Sequence, residues 1–433
     1  MGMKILVIGS GGREHALCWR VLADRPDADL YCAPGSSLIS RIASLVPLAA
    51  DDISGLVDWA AGNRPDLVIV GPEDPCALGL TDRLAESGIR AFGPSAAATR
   101  LESSKAWTTE LLDRAGVPIP DSAVFDSPAD AHAYVEDCID PLVVKADGLA
   151  LGKGVLVCDT PDDAHAAIDA IMVERAFGDA GSSVVIQERC YGPELSVFAI
   201  CAGAGFRIIG SARDYKRAHD GDLGLNTGGV GAYSPVADAD ADLLHDVADR
   251  IIGPTLRAAA DAGHPFTGVL YAGLMLTADG PVVIEFNIRF GDPEAQVILP
   301  TMRGDLVAAM LAAIDGDVTT VDLEPDGTAA VCVVLASGGY PGSYITGRTI
   351  DGLDALPPGS LAFHAGTEMR DDGLYTAGGR VLGIVGTGPD VPAARANAYA
   401  AVDKVTFQDC QWRRDIAEAE QVLPSQPQPV VPA

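Results

Sequence analysis

The chain has no run of about 18 consecutive apolar residues, so no membrane-spanning helix is expected. Basic residues are scarce: 30 lysines and arginines stand against 60 aspartates and glutamates, a net charge of −30. So acidic a surface repels nucleic acid and anionic membranes. It leaves room for a small anionic ligand only where basic side chains gather. The nine cysteines form no C-x-x-C pair, follow no metal-finger spacing and are odd in number. They read as reduced thiols of a cytoplasmic protein. The opening "MGMKILVIGSGG" holds too short an apolar run for a signal peptide, and Leu6 stands where a myristoylation signal needs Ser or Thr. No Ser-His-Asp or Cys-His pairing supports hydrolysis. The seven histidines are dispersed, show no pair at metal spacing and read as structural.

What is present is globular: 48% apolar and 21% charged residues over 433 positions, enough for two to four domains. "KILVIG", "DLVIV" and "IRAFG" read as short buried strands separated by helical spacing, a β-α-β-α-β order that predicts an α/β parallel sheet up to about residue 103. Residues 121–190 read as strand-rich, with "PLVVKAD" and "GVLVC" joined by a glycine-rich loop. A long helix is expected over 241–263, and a last block of strands and one helix over 328–422. The tail "PSQPQPVVPA" is too proline-rich for a packed core.

Three glycine-rich stretches could cradle phosphate. "VIGSGGREHAL" follows a strand and opens a helix, an anion site built from backbone N–H groups with Arg13 adding charge. Gly9 and Gly11 fit the dinucleotide fingerprint, but Glu14 fills its third glycine position, which weakens a nicotinamide reading. "VVKADGLALGKGV" places Lys145 in an apolar strand, where it needs an anionic partner, followed by Gly148, Gly152, Lys153 and Gly154. It is no Walker A loop, since Gly154 replaces the hydroxyl residue. "NTGGVGAYSP" is the third, preceded by the basic cluster "SARDYKR" around Asp214. A plain strand–helix turn, an exposed hairpin loop and a solvated basic loop are the bland alternatives. In "VIEFNIRFGDPEAQV", Glu285, Asn287 and Arg289 alternate with Phe286, Ile288 and Phe290, so one strand face carries a carboxylate, an amide and a guanidinium. The first two are hard oxygen ligands suited to Mg²⁺, and the third could hold a transferring oxygen.

Taken in order, "DGLALGKGV", "NTGGVGAYSP", "LYAGLM", "RFGDPEAQ" and "GGYPG" resemble the phosphoribosylamine–glycine ligase family of the ATP-grasp superfamily, from Met3 to about Ile416. The resemblance implies a Rossmann-like substrate domain (1–103), an ATP-grasp domain (104–327) with a lid lobe near 121–190, a C-terminal domain (328–422) and a disordered tail (423–433). It implies a monomer that joins glycine to 5-phosphoribosylamine at the expense of ATP, through a glycyl phosphate, with Mg²⁺ or Mn²⁺. It puts the metal on Glu285 and Asn287. ATP falls on Lys105, Lys145, the 147–154 loop (Asp147, Gly148, Gly152, Lys153, Gly154), the segment Gln187, Glu188, Arg189 and Cys190, and Glu194 at the ribose. The substrates would meet Gly9, Gly11, Gly12, Arg13 and Glu14, then Asp214 and Lys216, then Asn226, Thr227, Gly228 and Gly229. Arg289 and Asp292 would act in catalysis. Leu151, Val230, Arg189, Cys190 and Pro193 depart from the family's usual residues, which bears on nucleotide selectivity. Another ATP-grasp ligase or carboxylase, a nicotinamide oxidoreductase and a non-catalytic nucleotide-binding regulator are the competing readings.

Overall fold

The computed structural model describes residues 2–149, 154–319 and 322–418. Five parallel strands open the chain: β1 (Lys4–Gly9), β2 (Asp29–Pro34), β3 (Ser44–Leu45), β4 (Leu67–Val70) and β5 (Ala91–Phe92), in the order β3-β2-β1-β4-β5. Both faces are covered, which is why β1 from Ile5 onward and β4 are apolar at every position. Ile5, Val7, Leu67 and Ile69 share a core with Ala16, Leu17 and Val21 of the helix Gly12–Asp24. Leu6, Ile8, Val68 and Val70 pack instead with Leu56 and Val57 of Ile53–Asn63 and with Leu80 and Leu84 of Leu80–Glu86.

A small antiparallel sheet follows: β6 (Ser122–Phe125), β7 (Leu142–Ala146), β8 (Val155–Cys158) and β9 (Val184–Glu188), in the order β6-β9-β7-β8. The helices Pro128–Asp137 and Pro161–Ile168 supply Ala131, Val135, Ala164 and Ile168 to a core drawn entirely from residues 125–186. This lobe therefore has its own apolar centre.

The largest sheet contains β10 (Glu194–Ala202) and β11 (Gly205–Asp214). After the ribbon β12 (Arg217–His219) and β13 (Leu223–Asn226) it takes in β14 (Gly231–Ser234), β15 (Thr267–Thr277) and β16 (Gly280–Asn287). A second ribbon, β17 (Met302–Arg303) with β18 (Glu324–Pro325), precedes β19 (Ala329–Ala336) and β20 (Leu361–His364). A third, β21 (Thr367–Arg370) with β22 (Gly373–Thr376), precedes β23 (Arg380–Gly388). The strand order β16-β15-β10-β11-β14-β19-β23-β20 is antiparallel throughout. β14 pairs with β19, so the strands after residue 328 extend the same sheet rather than starting another.

The helix expected over 241–263 is interrupted. Ala241–Val247 and Gly253–Asp261 are regular, with a wide π turn over Ala248–Ile252 between them. Pro254, just past it, has no N–H for the regular ladder, and such bulges form where the ladder is broken.

Candidate functional site

A cleft of about 1260 Å³ lies between the lid lobe and the large sheet. β16 forms its floor. Gly273 of β15 pairs with Glu285 while the next residue, Leu274, pairs with Val283, so Ile284 is an extra residue on β16. This bulge resets the alternation: Val283 and Phe286 are both buried, and Glu285 stays on the cleft side. The Ile284 carbonyl accepts from Lys145 Nζ at 2.8 Å, which joins the lid strand β7 to the floor. Arg289 differs from expectation. β16 ends at Asn287, so the guanidinium sits past the strand, where the chain bends before Gly291 and Pro293. Phe286, Ile288 and Phe290 nevertheless keep the buried side, at 3%, 1% and 4% exposure.

Charge is concentrated here. Burial works to raise Glu285, but Lys216, Lys145 and Lys105 outweigh it and hold the carboxyl below its ordinary value. Asn287 Nδ2 lies 3.5 Å from Glu285 Oε1. Burial pushes Lys145 down to about 8, against the pull of Glu285. Lys105 Nζ donates to Gly148 O at 3.0 Å, so the helix Lys105–Ala115 holds the start of the glycine-rich loop. Asp147 does the same from the other side, accepting from Ala106 N at 3.1 Å and from Ser183 Oγ at 3.1 Å. Its carboxylate fixes the loop rather than facing the cleft. Gly154 lines the cleft, whereas Gly152 and Lys153 lie outside the described residues.

At the far edge, Gln187, Glu188, Arg189 and Cys190 line the cleft where β9 ends. The Gln187 amide donates to Ser122 Oγ at 2.9 Å, and the Arg189 guanidinium pairs with Asp159 and stacks over Tyr191. Glu194 accepts from Lys216 Nζ at 2.6 Å, and Asp214 lies 3.4 Å from the same ammonium. One cation serves several acids. Lys216 is held well above its ordinary value despite burial, because Asp214 and Glu194 flank it. Asp214 is raised to about 7 by burial, with Glu294, Glu194 and Glu285 adding to the rise that Lys216 opposes. Its side chain is 5% exposed against 39% for Glu194, so it is the poorly compensated member.

The third glycine loop is clamped. Asn226, Thr227 and Gly228 line the cleft, and Thr227 Oγ1 accepts from Gly229 N at 3.0 Å. Gly229 has φ +103° and packs on the next turn so closely that a Cβ would meet Pro293 Cδ at 2.5 Å. Arg380 Nη1, from β23, donates to Gly228 O at 2.6 Å and Asp292 O at 2.6 Å, and its Nη2 lies 3.5 Å from Asp292 Oδ2. Burial opposes ionisation of Asp292, but Arg380 and Arg13 hold it below its ordinary value.

The N-terminal turn is arranged otherwise than the sequence suggests. Glu14 folds back so that Gly11 N donates to its Oε2 at 2.7 Å, and Arg13 N faces Asp292 Oδ2 at 3.4 Å. The helix N-terminus is thus supplied with carboxylates from the chain itself. The Arg13 guanidinium turns inward to Glu14 Oε1 at 2.6 Å and Phe290 O at 3.1 Å. Arg13 reaches the cleft wall, but Gly9, Gly11, Gly12 and Glu14 do not line it, and neither does Gly229. The 9–14 turn braces residues 290–292.

Sequence reasoning missed Glu73, Glu102 and Arg380. Arg289 Nε donates to Glu73 Oε2 at 2.9 Å and its Nη2 to Glu102 Oε1 at 3.0 Å. Burial raises Glu102 to about 7 in spite of Arg289, while Glu73, with Arg13 as a further cation, is held at about 2 against its burial. Glu73 opens the short helix Glu73–Ala77, and no spacing in the sequence links it to residue 289. An ionised, half-buried carboxylate beside one amide fits a cation that takes few protein oxygens and fills its sphere from phosphate and water. Among the described residues no group of three or more His, Cys, Asp or Glu side chains is arranged to enclose a metal. No helix among them is long and apolar enough to cross a membrane.

Three family models match in sequence: "Phosphoribosylglycinamide synthetase, N domain" over residues 3–102, its "ATP-grasp (A) domain" over 103–295 and its "C domain" over 330–419. A phosphoribosylamine–glycine ligase of Rhodopirellula baltica is 45% identical, covering 96% of this chain and 97% of its own length. That of Halalkalibacterium halodurans is 44% identical, over 98% and 99%. The crystal structure of the Thermotoga maritima phosphoribosylamine–glycine ligase superposes with a TM-score of 0.83 at 32% identity, covering 96% of this chain and all of that one. A biotin carboxylase from Campylobacter jejuni, with a TM-score of 0.72 at 15% identity over 95% and 93%, shares the fold.

Proposed function

The chain belongs to the phosphoribosylglycinamide synthetase family and is a phosphoribosylamine–glycine ligase, joining glycine to phosphoribosylamine at the expense of ATP in purine biosynthesis; on that premise we propose how its cleft divides the work. The observation that carries the reading is the meeting of Lys105, Lys145 and Lys216 around the ionised, half-buried Glu285. ATP lies between the lid lobe and β16. Lys105, Lys145, Gly148 and Gly154 meet its phosphates, Gln187–Cys190 its base and Glu194 its ribose. Asp147, and with it the loop that holds Gly152 and Lys153, acts by position. Glu285 and Asn287 hold Mg²⁺ or Mn²⁺, which when bound neutralises phosphate charge.

The glycine carboxylate attacks the γ-phosphorus and ADP leaves, giving glycyl phosphate. The amine of phosphoribosylamine then attacks the acyl carbon, phosphate leaves and the nitrogen gives up a proton. Arg289, anchored by Glu73 and Glu102, retains N–H groups for charge developing on the transferring oxygens. Asp292 orients Arg13 and Arg380 and so holds the turn that carries Arg289. Asp214, Lys216 and Asn226–Gly228 receive the ribosyl substrate, and Gly229 with Gly9, Gly11, Gly12 and Glu14 supports them from behind.

We also propose functional units over 1–103, 104–327 and 328–422, and a cytoplasmic monomer in which all nine cysteines stay unpaired. The test is ADP formation with each substrate omitted in turn. ADP release that requires both glycine and phosphoribosylamine, and that bicarbonate does not replace, is expected. Bicarbonate-dependent release would favour a carboxylase.

A further inference from the structure

Away from the cleft, two histidines 33 positions apart in sequence meet on the lid lobe, contrary to their dispersed appearance in the sequence. His132 on Pro128–Asp137 and His165 on Pro161–Ile168 bring their Nδ1 atoms to 2.7 Å, with ring centroids 4.9 Å apart. Each ring's other nitrogen faces a carboxylate: His132 Nε2 lies 3.1 Å from Asp169 Oδ1, and His165 Nε2 lies 3.1 Å from Glu136 Oε1. An ionised carboxylate only accepts, so each Nε2 carries a proton. That tautomer aims both Nδ1 lone pairs at each other. Two lone pairs facing each other at this distance make a seat for a cation between the rings.

We propose that this pair is a two-imidazole site for a divalent cation of the nickel, copper and zinc class. Imidazole nitrogen suits these metals. Metal-binding histidines commonly donate their second N–H to a carboxylate, which orients the ring and raises its basicity, and here both do. The side chains are 31% and 25% exposed, open to ions from solution, and neither lines the cleft. The chain's net charge of −30 draws cations to its surface. Two nitrogens bound to one zinc at about 2.0–2.1 Å and a tetrahedral angle stand about 3.3 Å apart, so the rings need to part by only about 0.6 Å. Asp169 and Glu136 stay behind the rings, and water completes the sphere. On loading, the metal gives up two of its water ligands and two Nδ1–metal bonds form. The metal then ties together two helices of the lid lobe.

The test uses the untagged full chain in excess Mg²⁺, which prefers oxygen ligands and so occupies the cleft site without competing here. Ni²⁺ is titrated by calorimetry, and uptake of a single Ni²⁺ per chain is expected. Binding is lost in His132→Gln and in His165→Gln, and weakened about tenfold or more in Glu136→Gln, which keeps the shape but removes the backing charge. His219→Gln, on β12, leaves binding as it was. Cu²⁺ added to the wild type shows two-nitrogen hyperfine structure in electron paramagnetic resonance, and the His132 variant does not. Absence of Ni²⁺ binding in the wild type, or unchanged binding in both histidine variants, would overturn the proposal and leave a histidine pair that only braces the two helices.

Discussion

Arg289 shows how one side chain can have two roles that a single substitution tells apart. Glu73 and Glu102 hold it, so part of its worth is structural, and the two acids lose their cation without it. Lysine keeps the charge but not the planar fork. Arg289→Lys is expected to keep ATP affinity while kcat falls ~10²-fold, the size of effect seen when one donor to a developing oxyanion is removed. Melting temperature, ATP affinity and kcat measured on one preparation separate the roles, and preserved kcat with a lowered melting temperature would leave only the anchor. Asp214 offers a second residue-scale test. Its folded pKa of about 7 is raised above the unfolded value of 3.8, so its contribution to stability is present below about pH 4 and is lost as pH rises through 7. In the ligand-free protein, Asp214→Asn should flatten the decline in thermal stability between those values. An unchanged slope would place the titration elsewhere, with Glu102 the next candidate.

Among the elements, β16 was the most legible and also the most deceptive. Its alternation exposed Glu285 and Asn287, because polar residues at every second place in an apolar strand leave a plain pattern. The bulge at Ile284 that sets their phase left no such mark, since it depends on pairing with β15. The lid lobe's glycine loop and buried lysine were readable for the same local reason. The bracing of the 9–14 turn by Glu14 and Asp292 was not, because Asp292 lies 279 residues from Arg13. Gly229 is the element-scale test of that packing. With φ +103° and Pro293 Cδ at 2.5 Å from any Cβ, Gly229→Ala strains backbone and neighbour together. A loss of ~1–3 kcal/mol in denaturant unfolding is expected, with a raised KM for phosphoribosylamine. Unchanged stability would mean the loop can move off the 290–294 turn. In the lid lobe, hydrogen exchange at Leu142–Ala146 and Val155–Cys158 should slow when ATP and Mg²⁺ are added, since its core is its own and its link to the floor is Lys145.

Across the whole molecule, four apolar cores and an eight-stranded sheet place the cleft where every part of the chain contributes. The N-terminal turn braces residue 292, the lid lobe brings Lys145, β16 brings Glu285, and β23 brings Arg380. The order of these parts was legible from the motifs. The continuity of β14 into β19 was not, because strand pairing across about a hundred residues is a property of the packed chain. At the centre of this convergence we place the divalent metal on Glu285. ADP formation with glycine and phosphoribosylamine at saturating Mg²⁺ decides the point, comparing wild type with Glu285→Ala and using circular dichroism to confirm that both are folded. Loss of the carboxylate removes a ligand and the partner of three lysines, so turnover should fall by ~10²-fold or more with the fold intact. Near-normal turnover in a folded Glu285→Ala would contradict the assignment.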